Sequence, residues 1–354
     1  MGEQVRKKVI FEYEMLRVIV TLLVIVGHCA YYTIITEYGG CDYRSEASQL
    51  SVTYKLADLL TSMIYSFHMQ LFMTLSGALF CLSLQRGKFH TLRSLASEKA
   101  KRLLIPFFSV TLLYSVPLKI ASGYYSSSPS IIKDIIIGQL LVQGNTHLWF
   151  VAVLFSLFLL MYVLLKKKVP CMILLLILTV LNLVSSYIGI NLISRILEFA
   201  VWFYIGWLFE QHREVWNSYL KKHHIFLFMA VFCVFFFLNR NILPNISILK
   251  SCVKLLIALS GCVAVYTLSY QLSRTDVKEW KVVKGLSHDS YGIYLYSDPL
   301  NYVLLAVGVH MLHTDLFGSN FCSALFILTR FSVTLAVSIL VTRILRALKL
   351  KYLV

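Results

Sequence analysis

Long apolar runs alternate with short polar segments along the whole chain. Each run holds roughly 17 to 25 residues, the length that an α-helix needs to cross the hydrocarbon core of a bilayer. The pattern predicts about ten transmembrane helices, at residues 16–36, 57–84, 103–122, 147–165, 170–190, 196–210, 224–239, 250–272, 290–310 and 322–347. We therefore expect an all-α, polytopic membrane protein.

The composition supports a membrane protein and indicates one domain. Hydrophobic residues make up 58% of the chain and charged residues only 14%, whereas a soluble domain carries about 25% charged residues. The apolar runs follow one another without a polar gap long enough for a second globular unit. Residues 1–354 are therefore interpreted as a single integral membrane domain.

The formal net charge of +16 would suit nucleic acid, anionic lipid or an anionic substrate. The placement of the basic residues indicates instead that they set the orientation of the chain in the membrane. They concentrate in every second connection, at residues 6–8, 86–102, 166–168, 213–222, 274–284 and 343–351. Because basic connections mark the cytoplasmic side, both termini are predicted to be cytoplasmic. The bilayer is thus an expected partner, and nucleic acid is not.

The cysteines do not indicate a metal site. The chain has eight of them, most lie inside apolar runs, and none follows a Cys/His metal-binding spacing. We interpret them as small packing residues and expect no metal.

The first cluster of candidate functional residues is Glu14, Arg17 and His28 in the first apolar run. Ionisable groups within a bilayer are costly, so those that occur there are functional candidates. Arg17 and His28 are 28 − 17 = 11 residues apart, which places them on one helix face about 16 Å apart. An imidazole suits the general base of an acyl transfer. A structural histidine between helices is the alternative.

The second cluster lies in the second run, where His68 is followed by Ser76 and Gly77. An unpaired imidazole at this depth would be costly, which favours a functional pocket around His68. Ser76 and Gly77 also fit a small-residue helix-packing surface.

The third cluster is Lys101 and Arg102, just before the third run. One interpretation is a solvated, positive-inside segment. The other is a clamp for phosphate groups at the cytoplasmic mouth of a cavity, which would suit coenzyme A.

Three further residues are candidates for a pocket. Trp149 opens the fourth run, where aromatic residues also anchor helices to the interface. Tyr291 and Asp298 lie in the ninth run, and an Asp beside the helix-disturbing Pro299 indicates a cavity.

These segments, in this order, resemble acyltransferase family 3, the multi-pass membrane acyltransferases that modify bacterial surface polysaccharides. The matching pieces are Arg17 followed after ten residues by His28, residues 67–72 with Ser76 and Gly77, residues 101–106, residues 147–150 and residues 290–295. Residues 67–72 are most similar to the branch that contains fucose O-acetylases. The chain departs from the family at Gln70, where proline is common, and at Ser297 and Asp298, where a histidine often follows.

The resemblance implies about ten transmembrane helices and the transfer of acetyl from acetyl-CoA to a sugar hydroxyl. It implies that Arg17 and His28 are essential, with His28 catalytic, and that the basic residues before the third run bind the acyl donor. His28 would either deprotonate the sugar hydroxyl or carry the acetyl group briefly. The roles expected are catalytic for Glu14, Arg17 and His28, donor binding for Arg17, Lys101 and Arg102, and acceptor pocket for His68, Ser76, Trp149, Tyr291 and Asp298.

The expected activity is therefore membrane O-acyltransfer to a surface polysaccharide or its lipid-linked precursor, in a bacterial plasma membrane. Its partners would be acyl-CoA, the glycan or lipid-linked glycan, and the bilayer; the sequence predicts no particular oligomeric state. A transporter of a lipid-linked sugar or small anion is the rival interpretation, since buried His and Arg residues also line substrate paths. A third interpretation keeps acyl transfer as the reaction but assigns a different acyl donor or acceptor.

Overall fold

The computed structural model describes residues 10–46, 49–167, 169–241, 247–312, 315–350 and 352–354, and these are overwhelmingly helical. The helices are α1 (Phe11–Cys29), α2 (Val52–Tyr65), α3 (His68–Gln85), α4 (Leu92–Lys99), α5 (Ile105–Val110), α6 (Val116–Ala121), α7 (Ile131–Asp134), α8 (Trp149–Lys166), α9 (Cys171–Val184), α10 (Asn191–Gln211), α11 (Arg213–Tyr219), α12 (His224–Asn241), α13 (Ser247–Ser273), α14 (Lys281–Met311) and α15 (Asn320–Ala347). The all-α prediction is confirmed, apart from one short hairpin.

Seven helical segments in the described part of the chain are long and apolar enough to cross a membrane. They are Val52–Gln85, Leu92–Ala121, α8, α10, α12, Leu249–Ser273 and α15. They coincide with seven of the predicted runs. The other three runs fall on α1 and α14, which carry several charged residues, and on the shorter apolar segment Cys171–Tyr187. The polytopic architecture is thus confirmed, while the number ten stays a prediction.

The cytoplasmic position of both termini also stays a prediction. The basic residues at positions 6–8, on which the N-terminal assignment depends, lie outside the described residues, as do Lys168 and Lys351.

The first predicted run, 16–36, is wrong at its C-terminal end. Helix α1 stops at Cys29, and the chain turns into an antiparallel hairpin of β1 (Thr33–Thr36) and β2 (Gly39–Asp42). Gly39 has φ +122°, which an L side chain rarely adopts, so this glycine permits the tight turn. The backbone N–H of Gly40 donates to the Tyr124 carbonyl at 2.8 Å, which docks the hairpin onto the segment after α6.

The hairpin ends in a local ion pair. The Arg44 guanidinium contacts the Asp42 carboxylate at 2.7 Å. Its hydrogen bonds lower the pKa of Asp42 to about 2. Both side chains are well exposed, so the pair shapes the turn more than it stabilises the fold.

The helical run from α4 to α6 contains two π-helical turns, at Ala100–Leu104 and Thr111–Ser115. Pro106 and Pro117 follow these turns closely. Proline lacks the N–H that would bond to the carbonyl four residues earlier, so the regular hydrogen-bond ladder cannot continue through it. Extra residues in π turns are common at such interruptions and often mark functional sites. Lys101 and Arg102 lie in the first turn.

The core is a continuous apolar cluster contributed mainly by α1, α3, α8, α10, α13 and α14. Its closest contact joins α3 and α10. A Cβ added at Gly77 would lie 1.9 Å from the Phe203 carbonyl oxygen, and one at Gly206 would lie 1.8 Å from the Thr74 carbonyl oxygen. The two backbones therefore touch, as in other small-residue interfaces of membrane helices.

A buried polar network joins the start of α1 to α10 and α11. Tyr13 donates to Glu210, and the Arg213 guanidinium binds both Glu12 and Glu210. Asn217 completes the network through Glu12 and the hydroxyl of Tyr266. These charges are mutually satisfied, so we assign them a structural role.

Candidate active site

Helices α1 and α14 lie side by side and run in the same direction. In the N-terminal half of α1, Arg17 lies close enough to Arg102 for their charges to interact. In the N-terminal half of α14, the hydroxyl of Tyr291 donates to the backbone carbonyl of the same Arg102 at 3.0 Å. Farther along both helices, His28 contacts Asp298. Parallel packing of these two helices thus brings together residues that are 270 positions apart.

The contact between His28 and Asp298 lies in the wall of a cavity of about 630 Å³. We call it the catalytic cavity. Its polar lining comprises His28, Tyr65, His68, Gln70, Asn145, Thr146, His147, Asn191, Ser194, Arg195, Glu198, Ser297 and Asp298, with Trp149 among the aromatic residues. A cavity of this size, with convergent polar groups, is the usual form of a small-molecule site. Four of the predicted residues line it: His28, His68, Trp149 and Asp298.

The central pair is a hydrogen bond between Nδ1 of His28 and Oδ1 of Asp298. An ionised carboxylate can only accept, so Nδ1 carries the proton and Nε2 is left as an acceptor. The His28 side chain is 20% exposed and that of Asp298 is 6% exposed. A ligand in the cavity can therefore reach the imidazole, while Asp298 orients it from behind.

His147 is the second imidazole beside Asp298. Its Nδ1 lies 3.9 Å from Oδ2 of Asp298, and its Nε2 donates to the Leu295 carbonyl at 3.0 Å. That carbonyl is available because Pro299, four residues later in α14, has no N–H to donate to it. The proline thus creates the acceptor that positions His147.

Lys119 anchors the segment that carries His147. Its fully buried ammonium donates to the Asn145 carbonyl at 2.6 Å and to Oε1 of Gln139 at 3.0 Å. Asn145 in turn donates to the hydroxyl of Tyr302 at 2.8 Å. Because both partners of Lys119 are neutral, its positive charge is not cancelled by direct contact.

Arg330 fixes the end of α1 that carries His28. The side chain is completely buried and donates to the carbonyls of His28 at 3.3 Å and Tyr31 at 2.8 Å. A third hydrogen bond, at 3.3 Å, goes to Oδ1 of Asn301 in α14. The last carbonyls of a helix have no partner within the helix, and a cation there also complements the helix dipole.

His68 and Trp149 both line the catalytic cavity. Nδ1 of His68 donates to the Ile64 carbonyl at 2.8 Å, across the break between α2 and α3, and its ring lies 5.1 Å from that of Tyr65. The Arg195 guanidinium lies 4.1 Å from the Trp149 ring centre. Such an aromatic face beside polar groups is suited to a sugar.

A second group of predicted residues gathers at the other end of α1. Arg17 is near Arg102 and Glu14, and the exposed side chains of Lys101 and Arg102 form no ion pair with any described residue. Tyr291 joins this group through the Arg102 carbonyl.

Six of the predicted site residues lie outside the lining of the catalytic cavity: Glu14, Arg17, Ser76, Lys101, Arg102 and Tyr291. Glu14 and Arg17 belong to the basic end of α1, as do Lys101, Arg102 and Tyr291. Ser76 is next to Gly77, on the helix that packs closely against α10. The structure therefore separates the predicted residues into a cavity group, a basic group and Ser76.

The family profile described as an acyltransferase domain matches residues 10–343, which is nearly the whole chain. The chain belongs to acyltransferase family 3. This assignment confirms the resemblance carried by the segments around Arg17, His68 and Arg102, and it identifies a membrane acyltransferase. No curated protein and no solved structure matches the chain.

In this acyltransferase, the sequence expectations omit Lys119, His147 and Arg330. Lys119 lies inside the predicted run 103–122 and Arg330 inside 322–347. Because a charge is costly inside a bilayer, their positions alone were enough to make them functional candidates. His147 belongs to a segment of the resemblance. Within the described ranges, no group of three or more His, Cys, Asp or Glu side chains is arranged to hold a metal ion.

Proposed function

We propose that this membrane acyltransferase transfers acetyl from cytoplasmic acetyl-CoA to a hydroxyl of a surface polysaccharide or its lipid-linked precursor, in a bacterial plasma membrane. The observation that carries the proposal is the His28–Asp298 pair in the wall of a polar cavity. A base held in one tautomer, with its free nitrogen accessible from the cavity, is what deprotonation of a hydroxyl requires.

The transfer follows from this geometry. An acceptor hydroxyl against Nε2 of His28 gives its proton to that nitrogen while its oxygen attacks the thioester carbonyl. The new C–O bond forms, the C–S bond breaks, and the thiolate of coenzyme A takes the proton from His28. Asp298 stabilises the imidazolium between the two steps.

The charges around the pair favour the negative oxygen of the tetrahedral intermediate. Lys119 and Arg330 are buried, and their hydrogen-bond partners among the described residues are neutral. Fixed positive charge in a site that excludes water lowers the energy of developing negative charge.

The basic group at the other end of α1 provides the donor site. Arg17, Lys101 and Arg102 would bind the phosphates of coenzyme A. His28 lies 28 − 17 = 11 residues from Arg17, about 16 Å along the helix. An extended pantetheine arm spans a comparable length, so phosphates held there deliver the thioester to His28. Glu14 acts on Arg17 in this proposal and does not reach the reacting atoms.

The cavity group supplies the acceptor site. Trp149 and Arg195 provide an aromatic face with a cation, and His68 and Ser297 add polar contacts for a sugar. Tyr291 holds α14 against the donor segment. Ser76 is assigned to helix packing rather than to the sugar.

The deciding experiment measures O-acetyl groups on surface polysaccharide by proton NMR. Cells with the gene deleted are complemented with wild type, His28→Ala or the control His223→Ala, whose side chain is exposed at the start of α12. Wild type and His223→Ala should restore the O-acetyl signal, and His28→Ala should not. Full restoration by His28→Ala, at equal expression, would refute the assignment.

A further inference from the structure

A second polar cavity, of about 550 Å³, adjoins the catalytic cavity. We call it the side cavity. The two cavities share Tyr65, Gln70, Ser194 and Glu198 in their walls. The remaining polar lining of the side cavity includes Ser62, Asn182, Ser185, Ser186, Asn239 and Lys254. A ligand that occupies the catalytic cavity can therefore extend past Glu198 into the side cavity.

Helix α10 forms the common wall with one continuous face. Asn191, Ser194, Arg195, Glu198 and Trp202 recur at the spacing of a single helix face and line one cavity or both. Arg195 points into the catalytic cavity, Trp202 into the side cavity, and Glu198 into both. One helix face thus presents a single extended binding surface.

Two charged residues that line the side cavity make no direct contact that would stabilise the fold. Glu198 and Lys254 lie in membrane-spanning helices, yet neither side chain forms a hydrogen bond or a direct ion pair with another described residue. They influence each other only at longer range. Glu198 is half-buried and Lys254 is exposed, so both side chains are free to contact a polar ligand in the side cavity.

The lining selects the chemical class of that ligand. Hydroxyl and amide groups predominate, and the amide oxygens of Gln70 and Asn239 are buried without a hydrogen-bond partner among the described residues. An acyl chain or lipid tail would leave these two oxygens unsatisfied. Lys254 is accompanied by Glu198, whose carboxylate repels a phosphate. A neutral, hydroxyl-rich group satisfies these donors and acceptors together, and Trp202 offers it an aromatic wall.

We propose that the side cavity binds the glycosyl unit next to the one that is acylated, so that the acceptor recognised is at least a disaccharide. This inference rests on the proposed function, because it takes the acylated sugar to lie at His28. It adds a second sugar subsite, built by α2, α3, α9, α10, α12 and α13.

The experiment compares acceptors of different length with purified enzyme and acetyl-CoA. The acceptors are mono-, di- and trisaccharide fragments, made by partial acid hydrolysis of the strain's alkali-deacylated surface polysaccharide. With wild type, kcat/KM should rise about tenfold or more from mono- to disaccharide, which corresponds to a few hydrogen bonds. A smaller rise is expected from di- to trisaccharide.

Two variants locate this gain in the side cavity. Ser62→Trp fills the cavity and Lys254→Met removes its cation; both should abolish most of the disaccharide advantage while kcat/KM for the monosaccharide stays within about twofold of wild type. Ser218→Trp, at an exposed position of α11, is the matched control and should keep the advantage. Unchanged monosaccharide activity also shows that the variants are folded.

Two results would overturn the inference while leaving the proposed function intact. One is equal use of mono- and disaccharide by wild type, and the other is a disaccharide advantage that survives in both variants. A gain seen only with a diphosphate-linked monosaccharide, and lost in Lys254→Met, would assign the side cavity to phosphate instead. If wild type acylates no fragment, free glycan is refuted as the acceptor and the subsite with it.

Discussion

At the scale of single residues, the proposed mechanism depends on the carboxylate of Asp298 as well as on the imidazole. Asp298 accepts a hydrogen bond from Nδ1 of His28 and so leaves Nε2 as the acceptor. The same charge then stabilises the protonated ring. The two effects act at different stages of the transfer, and both disappear when the charge is removed without a change in size.

We therefore expect Asp298→Asn to lower kcat by about 100-fold or more, because the amide neither fixes the tautomer nor stabilises the imidazolium. The KM for acetyl-CoA should change little, since the donor phosphates bind at the other end of α1. Initial rates of coenzyme A release measure both values. Asp276→Asn, an exposed carboxylate before α14, is the control. A kcat within twofold of wild type for Asp298→Asn would rule out this role.

Arg330 provides a second prediction at this scale. Arg330→Met leaves the carbonyls of His28 and Tyr31 without their donor, so the turn that carries the base loses its fixed position. We expect kcat to fall by more than tenfold with KM for acetyl-CoA within about twofold, and Arg330→Lys to recover part of the loss.

The exposed Arg93→Met serves as the control for Arg330→Met. Thermal unfolding of each variant separates positioning from instability. If kcat falls only in proportion to the folded fraction, Arg330 is merely structural.

The sequence predicts these residues to different degrees. His28 is identified by its helical spacing from Arg17 and by the family resemblance, both of which are local in the chain. The partnership of His28 with Asp298 is not local, because it depends on how α1 and α14 pack. The sequence marks Asp298 as an unusual charge beside Pro299 but cannot name the imidazole that it binds.

At the scale of elements, two prolines turn helix carbonyls into binding groups for other helices. Pro299 frees the Leu295 carbonyl, which accepts from His147, and Pro106 cannot donate to the Arg102 carbonyl, which accepts from Tyr291. In each case the acceptor lies four residues before the proline. Irregular backbone is tolerated in a membrane when side chains satisfy it in this way.

Replacing Pro299 by Ala tests this arrangement. The new N–H at position 299 can donate to Leu295 and compete with His147, so helix α14 becomes more regular while the imidazole loses its fixed position. We expect no loss of thermal stability but about a tenfold lower kcat.

Pro117→Ala is the matched control for Pro299→Ala, since its position in α6 is exposed and is not part of the lining of the catalytic cavity. Activity equal to wild type in Pro299→Ala would show that His147 does not depend on the freed carbonyl.

The contact between α3 and α10 gives a prediction about stability. A methyl group at Gly206 would lie 1.8 Å from the Thr74 carbonyl oxygen, so Gly206→Ala must push the helices apart. Overpacking of this kind costs about 1–3 kcal/mol, which should lower the melting temperature by several degrees.

Gly189→Ala, where nothing lies within 4 Å of the added Cβ, should leave the melting temperature unchanged. Equal melting temperatures for Gly206→Ala and wild type would mean that the two backbones are not in contact.

The positions of the long helices are predicted from sequence more accurately than the residues at which the helices end. Apolar periodicity locates the long helices because burial in lipid depends on composition along one segment. It fails at residues 33–36, where apolar Ile34 and Ile35 continue the run but the glycines at 39 and 40 favour a hairpin. The side cavity is also unpredictable from sequence, since its polar lining comes from six helices that are individually apolar.

At the scale of the whole molecule, the distribution of basic residues predicts orientation, and the structure supplies positions for testing it. Single cysteines at Arg44 and at Lys281, both exposed, are placed in a chain whose eight native cysteines are replaced. In intact cells, a membrane-impermeant maleimide should label position 44 and reach position 281 only after permeabilisation.

The reverse labelling pattern would place the hairpin in the cytoplasm and contradict the proposed side of donor entry. Labelling of both positions in intact cells would contradict the assignment of alternate connections to opposite sides.

The 270-residue separation of His28 and Asp298 also bears on how the protein is made. Helix α1 leaves the ribosome long before α14 and α15, which carry Asp298 and Arg330. Until α14 inserts, the nascent chain therefore holds an imidazole in the bilayer without its carboxylate. If His28 is the base, as proposed, the transfer has to wait for the insertion of α14 and α15.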